Sequence, residues 1–444
     1  MKQTLFMVAV TLYGCVGSFL NTPFIGLGVY VLYAVLRPQF LWAWSLPMGV
    51  NWSRYVAMAT IAALVVFGSR PPAPVVGRWP AAPVRLTRGH VFFLLFGVWL
   101  GLSYALAYRP EAGDFHMEEY AKLYVMYCVG IVAIRTVGQV WAIYLVYACS
   151  LAYISYEINF LYFVNGYLGI QRNGYGGYDN NGAGMFLAMG VPLCAFAWEA
   201  YRGWYRWGFA LVIPVILHAV LMTYSRGAMV ALIVVAPLWI LRGRYRRQKL
   251  ALGCAVLACV PFLAGKEIRD RFFTVEEYQK DDSANSRFDS WDAGLRIAAT
   301  SPVFGVGVRN SGLFLGRYYP ELQGRAIHSQ YIQLAADIGY VGLLLYLGVV
   351  GSALRDLQQV IRAARGRSDT DSVRAYLAAA GLQGAIVTFL VGAVFLSCEA
   401  FEPQYYLFLA AAQLRLAYLA APGPVGWPPY PPAAGRPARS RAAP

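Results

Sequence analysis

Apolar and polar positions do not alternate along this chain; they separate into long apolar blocks joined by short polar connections. Blocks at residues 91–108, 141–164, 209–224, 229–241 and 341–354 approach or reach the roughly 20 residues that cross about 30 Å of hydrocarbon. In order, helices are expected near 91–108, 121–134, 139–164, 183–198, 209–223, 229–241, 251–264, 329–354, 376–397 and 404–419. They follow a stretch from Leu5 to about Phe67 that is apolar but interrupted at Asn21-Thr22-Pro23, Arg37-Pro38 and Asn51-Trp52-Ser53-Arg54. The expected fold is all-α, a polytopic integral membrane protein of about twelve transmembrane helices, or up to about fourteen depending on that first stretch. Residues 1–265 are read as transmembrane helices with short loops, 266–328 as one long polar loop containing short helices, and 329–421 as C-terminal transmembrane helices. The Pro- and Arg-rich tail at 422–444 has no hydrophobic pattern and is expected to be disordered. The first apolar run follows one lysine and lacks a small-residue cleavage site, so it is expected to be a retained helix.

Composition excludes a soluble globule: 59% of residues are hydrophobic and 13% charged, about half the charged share of soluble domains. The net charge of +15 does not indicate nucleic acid, because the basic residues form short clusters between apolar runs rather than one face. They fit a positive-inside bias. Clusters at Arg70, Arg78, Arg85 and Arg88, at Arg202 and Arg206, at Arg242–Lys249, at Arg355–Arg374 and at Arg436–Arg441 mark the cytoplasmic side. The acidic connection with Glu111, Asp114, Glu118 and Glu119, and the Gly-, Tyr- and Asn-rich segment 165–182, fall on the other side. There too lies the long loop, where Lys266 to Arg325 holds acidic and basic residues in equal number. The seven cysteines show no CxxC spacing and read as small hydrophobes.

This topology brings three helix N-termini to one face: after Asp179-Asn180-Asn181-Gly182, at Ser225-Arg226-Gly227, and at His328-Ser329. Asp and Asn are N-cap types, and helix N-termini attract anions, phosphate above all. Arg226 adds a planar fork of donors suited to phosphate oxygens; its bland alternative is an interfacial anchor. Of the four histidines, only His328 closes the polar loop at a helix start, and imidazole is the side chain best matched to proton transfer near neutral pH. Within the loop a helix is expected over 285–300, with Arg287, Trp291, Leu295 and Ala298 on one face. It ends at Ser301-Pro302, ahead of a compact turn at Gly305-Val306-Gly307. Asp281, Asp282, Asp289 and Asp292 are metal-ligand types, but solvated loop charge is the expected account.

Four segments together resemble the bacterial O-antigen ligase and polymerase superfamily: GYGGYDNNGAGMFLAMGVP at 174–192, TYSRGAMVAL at 223–232, RFDSWDAGLRIAATSPVFGVGVRN at 287–310 and RAIHSQYIQLAADIGYVGLL at 325–344. Asp179-Asn180-Asn181 and His328-Ser329 are most similar to exosortase-associated O-glycosylation ligases; many family members carry Asn where this chain has Ser329. The resemblance implies a GT-C-like membrane glycosyltransferase of the bacterial inner membrane with its site on the periplasmic side. It implies an O-antigen ligase that moves polysaccharide from undecaprenyl diphosphate to a lipid A core hydroxyl of lipopolysaccharide, with inversion and without nucleotide sugar, metal or cofactor. By matching segment, His328 would be the general base and Arg226 and Arg287 would hold the diphosphate. Arg309 and Arg325 would contact phosphate or acceptor, and Asp179 and Asn180 would position substrate. A growing glycan or a protein hydroxyl is the alternative acceptor, making a polymerase or a protein O-oligosaccharyltransferase. A transporter of lipid-linked glycan would bring ionisable groups to mid-membrane, often in repeated halves, and no internal repeat is seen here.

Overall fold

In hydrocarbon the backbone has no water to bond, so apolar blocks of this length close their hydrogen bonds internally as helices. The computed structural model describes residues 2–68, 81–166, 169–242, 246–263, 282–398 and 400–420. Among these every element longer than one turn is an α-helix, and the β contact is an isolated bridge between Tyr175 and Tyr178. The helices longer than about a turn and a half are α1 (Lys2–Leu20), α2 (Pro23–Leu36), α3 (Trp52–Phe67), α4 (Arg88–Ala105), α5 (Asp114–Ala133), α6 (Val137–Asn165), α7 (Asn180–Ala188), α8 (Gly190–Ala200), α9 (Arg206–Met222), α10 (Arg226–Leu241), α11 (Arg246–Leu263), α12 (Asp282–Thr300), α13 (Gln330–Ala364), α14 (Thr370–Gly392) and α15 (Glu402–Leu419). Arg70, Arg78, Arg244, the stretch 266–281 with Asp281, and the 422–444 tail lie outside the described residues.

By length and composition six spans among the described residues can cross a membrane: α1, α4, α6, the α7–α8 pair, α13, and α14 with its extension to Phe395. Four shorter apolar helices, α2, α3, α9 and α10, pack with them. The expected count of about twelve spans also drew on α5, α11 and α15, which do not meet that length and apolarity. The single helix expected at 183–198 is two, α7 and α8, meeting at Met189. This pair is the axis of the bundle, 94% buried against 22% for α1 at the rim.

Lipid tails are as apolar as leucine, so helix association relies on close approach at small residues. A Cβ on Gly384 of α14 would lie 2.6 Å from Pro192 Cβ, and one on Gly26 of α2 would lie 2.1 Å from Thr60 Oγ1.

The helix expected to run on from residue 329 breaks at Gly339, whose φ is 74°. The break frees the carbonyls of Ala336, Asp337 and Ile338. Each finds a distant donor: Val306 N at 3.0 Å, Gly307 N at 2.8 Å and Trp99 Nε1 at 2.8 Å, with Ser103 Oγ also donating to Asp337 O at 3.1 Å. The turn at Gly305-Val306-Gly307 is thus wedged into the break. A Cβ on Gly339 would meet Val303 O at 2.0 Å, so the break requires glycine.

These connections, the 37–51 loop and the helix ends at Ala105, Asp179, Arg226 and Gln330 gather at one end of the bundle. The opposite end carries Arg88, Arg135, Arg242, Arg246, Arg247, Arg355 and Arg362.

Candidate active site

Ser329 has the extended backbone of an N-cap, yet its side chain makes no cap hydrogen bond. Before it, His328 takes φ 57°, a left-handed conformation that costs a residue with a β-carbon about 1–2 kcal/mol. Distant groups hold it there. The His328 N–H donates to Ser397 Oγ at 3.1 Å, and its carbonyl accepts from Trp291 Nε1 at 3.2 Å. Ser397 Oγ donates in turn to Gln333 Oε1 at 3.0 Å, which also accepts from Ile327 N at 3.1 Å. Gln333 Nε2 donates to Asp337 Oδ2 at 2.7 Å and Ser311 Oγ at 2.6 Å, while Asp337 Oδ1 accepts from Ser311 N at 2.8 Å. Gln333, Asp337 and Ser311 are all buried, so a polar chain inside the bundle sets the backbone at His328.

The loop helix forms as α12, from Asp282 to Thr300. Ser290, Ala293, Ile297 and Ala298 are buried, whereas Leu295 is 50% exposed. Small residues decide this: a Cβ on Gly294 would lie 2.7 Å from Ile332 Cγ2 and 2.9 Å from Ile327 Cδ1, so α12 presses its Ala and Gly face onto the start of α13. Ser290 Oγ donates to both Arg287 O at 2.8 Å and Ile327 O at 2.9 Å, which ties the Arg287 turn to the segment before His328.

Burial lowers the pKa of His328 from its usual 6.5, the charges of Arg287 and Arg325 push it further down, and Asp179 opposes them. Three of the residues singled out in the sequence therefore act on the same imidazole. Asp179 caps α7, its Oδ1 accepting from Gly182 N at 2.7 Å. Asn180 Nδ2 donates to Thr223 O at 3.0 Å, fastening α7 to the turn before Arg226. In that turn Tyr224 has φ 54° and Ser225 Oγ accepts from Ala228 N at 3.3 Å. Gly227 lies against Phe395, and the Phe395 ring sits 6.2 Å from that of Trp291, the residue bonded to His328. Arg226 thus heads a helix that abuts the His328 wall. Arg226, Arg287 and His328 are half-buried; Asp179 and Arg325 are exposed.

Arg309 sits apart. It stands beside the Asn310 side chain, which pairs with the Arg109 backbone at 2.8 and 2.9 Å, and its charge acts on His116 in α5, where burial is the larger cause of a lowered pKa. Sequence reasoning missed Gln333, Asp337 and Ser397. The available signal was a Gln and an Asp four apart inside an apolar run, since polar groups at membrane depth are rare without a partner or a task.

The arrangement offers an imidazole carried on a hydrogen-bond-anchored backbone, kept toward its neutral form, beside guanidinium groups and a helix N-terminus. It suits taking a proton from a hydroxyl next to a bound anion. Residues 209–347, from within α9 to the middle of α13, match the family model described as O-antigen ligase, and that interval includes Arg226, Arg287, Arg309, Arg325 and His328. No curated protein matches the chain.

Proposed function

We propose, on the match of residues 209–347 to the family model described as O-antigen ligase, that this chain is a member of the O-antigen ligase and polymerase superfamily and transfers polysaccharide from undecaprenyl diphosphate to a hydroxyl of the lipid A core of lipopolysaccharide. The protein is a multi-pass membrane protein; in this reading it sits in the bacterial inner membrane with the His328 end facing the periplasm. The isoprenoid tail of the donor stays in the bilayer while its diphosphate meets Arg226 and Arg287. Guanidinium forks fit phosphate oxygens and offset the charge that grows as the diphosphate leaves. His328 takes the proton of the acceptor hydroxyl as that oxygen attacks the anomeric carbon. The bond to the diphosphate breaks as the glycosidic bond forms, and attack from the opposite side inverts the anomeric centre. Asp179 and Arg325 tune the imidazole, and Asn180 holds the turn that presents Arg226.

The observation that carries this reading is the convergence of Arg287, Arg325 and Asp179 on one anchored histidine within the matched segment. It is tested by lipid-linked glycan transfer in proteoliposomes, with lipid A core, free lipid-linked glycan and a protein acceptor offered separately. His328→Ala is expected to lose about 10²–10⁴-fold in rate, and Arg226→Ala to lose transfer as well. Equal transfer by all three proteins would overturn the mechanism. The acceptor consumed by the unaltered chain decides between ligase, polymerase and protein glycosylation, and retention at the anomeric centre by NMR would exclude single displacement.

A further inference from the structure

The same end of the bundle holds a polar cavity of about 360 Å³ that the transfer reading leaves unused. Its walls come from α2, the 37–51 connection, α3, α5 and the first turn of α15, and they include Arg37, Asn51, Trp52, Glu119, Lys122 and Glu402. A short chain of contacts links its wall to the elements around His328. Arg37 donates to the Gly176 carbonyl and lies 4.5 Å from the centre of the Tyr178 ring, one residue before Asp179. Tyr178 packs on Phe401 at 5.0 Å, next to Glu402. Ser397, which accepts from the His328 backbone, begins the connection that ends at Phe401.

The chemistry of these walls selects among ligands. Lys122 pairs with Glu118 at 2.8 Å and Glu119 at 2.9 Å, and Glu402 accepts from Tyr406 Oη at 3.1 Å. Two carboxylates face two cations, so the formal charges of the lining cancel and neither a lone metal ion nor a phosphate is favoured. What remains is a set of donors and acceptors of both kinds beside an indole. Sugar hydroxyls both donate and accept, and an aromatic side chain offers an apolar face with a polar handle. The volume falls at the small end of the roughly 300–1,000 Å³ range of ligand sites.

We propose that this cavity binds a saccharide unit of a glycan, next to the reacting site rather than in it. The choice of ligand rests on the glycan-transfer reading; the saccharide can belong to the donor chain or to the acceptor core.

The test uses full-length His328→Ala protein in nanodiscs, so that turnover does not consume the probes. Two lipid-free probes are offered in saturation-transfer NMR: delipidated core oligosaccharide, and polysaccharide released from the donor by mild acid. At least one is expected to bind, with affinity falling about tenfold or more when Trp52→Ala or Glu402→Gln is added, and holding when Arg226→Ala is added. Lys122→Gln, at an exposed rim position, is expected to weaken binding in the same direction without threatening the fold. The probe that binds identifies the source. Binding by neither probe, or binding unchanged in all three cavity variants, would overturn the proposal. Saccharide binding in the cavity of a chain that transfers no glycan would defeat the transfer reading and leave this one standing; active transfer with no probe bound would do the reverse.

Discussion

Two helical segments run inward from the same end of the bundle and are held in opposite ways. α7 starts on its own cap, Asp179 to Gly182 N, and passes into α8 through Met189, which stays helical at φ −60°. The first part of α13 starts at a Ser329 that makes no side-chain cap bond and ends at a break whose carbonyls are satisfied by Trp99, Val306 and Gly307. Local sequence suffices for α7, whereas α13 leans on partners far along the chain. His328 lies at the end held from a distance. A left-handed residue with a side chain needs support that a local cap does not give, so the support around α13 is where substitutions should be felt most.

The largest contrast is expected at the two glycines. Gly339→Ala forces a β-carbon into φ 74° and against Val303 O, at 2.0 Å, which is expected to destabilise by roughly 2–6 kcal/mol. Gly190→Ala, at the α7–α8 joint, brings a β-carbon 3.0 Å from Leu151 Cβ and 3.1 Å from Ile216 Cδ1, contacts that a small shift between helices relieves and that carry no left-handed strain, so about 1–3 kcal/mol is expected. Thermal unfolding in nanodiscs measures both. Equal losses would mean that the break at Gly339 is no more constrained than an ordinary tight joint.

Gln333→Leu comes next, because it strands Ile327 N, Ser397 Oγ and Asp337 Oδ2 at once. Each buried polar group left without a partner costs about 1–3 kcal/mol, and kcat should fall with stability as the His328 backbone loosens. The α7 counterpart, Asn180→Leu, removes the bond to Thr223 O and a longer one at 3.3 Å from the part-buried Asn181 Nδ2, a smaller loss at about 0.5–1.5 kcal/mol per bond. If Gln333→Leu kept full transfer, the polar chain would be structural only.

The same contrast explains what was legible in the sequence. The caps at Asp179 and Ser225, the helix of the polar loop and the turn at Gly305–Gly307 are local events written in adjacent residues, and they form where expected. The break at Gly339 was hidden because Ile338-Gly339-Tyr340 continues an apolar run, and its partners, Trp99 and Ser103, lie 239 and 234 residues away. Arg309 sits close to the turn in sequence, but the Asn310–Arg109 pairing leads it to His116 instead of His328. The N-terminal region showed only interruptions such as Arg37-Pro38, whose meaning depends on Gly176 and Tyr178 across the bundle.

The smallest expected effect is the most discriminating, because Asp179 serves both sides of the comparison: it caps α7 and it acts on His328. The imidazole titrates below its usual 6.5, so transfer should rise with pH through that lowered value, as the base loses its proton, and level off above it. Asp179 raises the histidine's pKa and Arg287 lowers it. Asp179→Asn should therefore move the rise to lower pH, and Arg287→Gln, whatever its cost in rate, should move it to higher pH. Asn caps a helix as well as Asp does, whereas Ala gives up about 0.5–2 kcal/mol. Asp179→Ala is accordingly expected to share the pH shift of Asp179→Asn and to lose stability besides. An unmoved profile in Asp179→Asn would reduce Asp179 to a cap and leave the His328 field to the arginines alone.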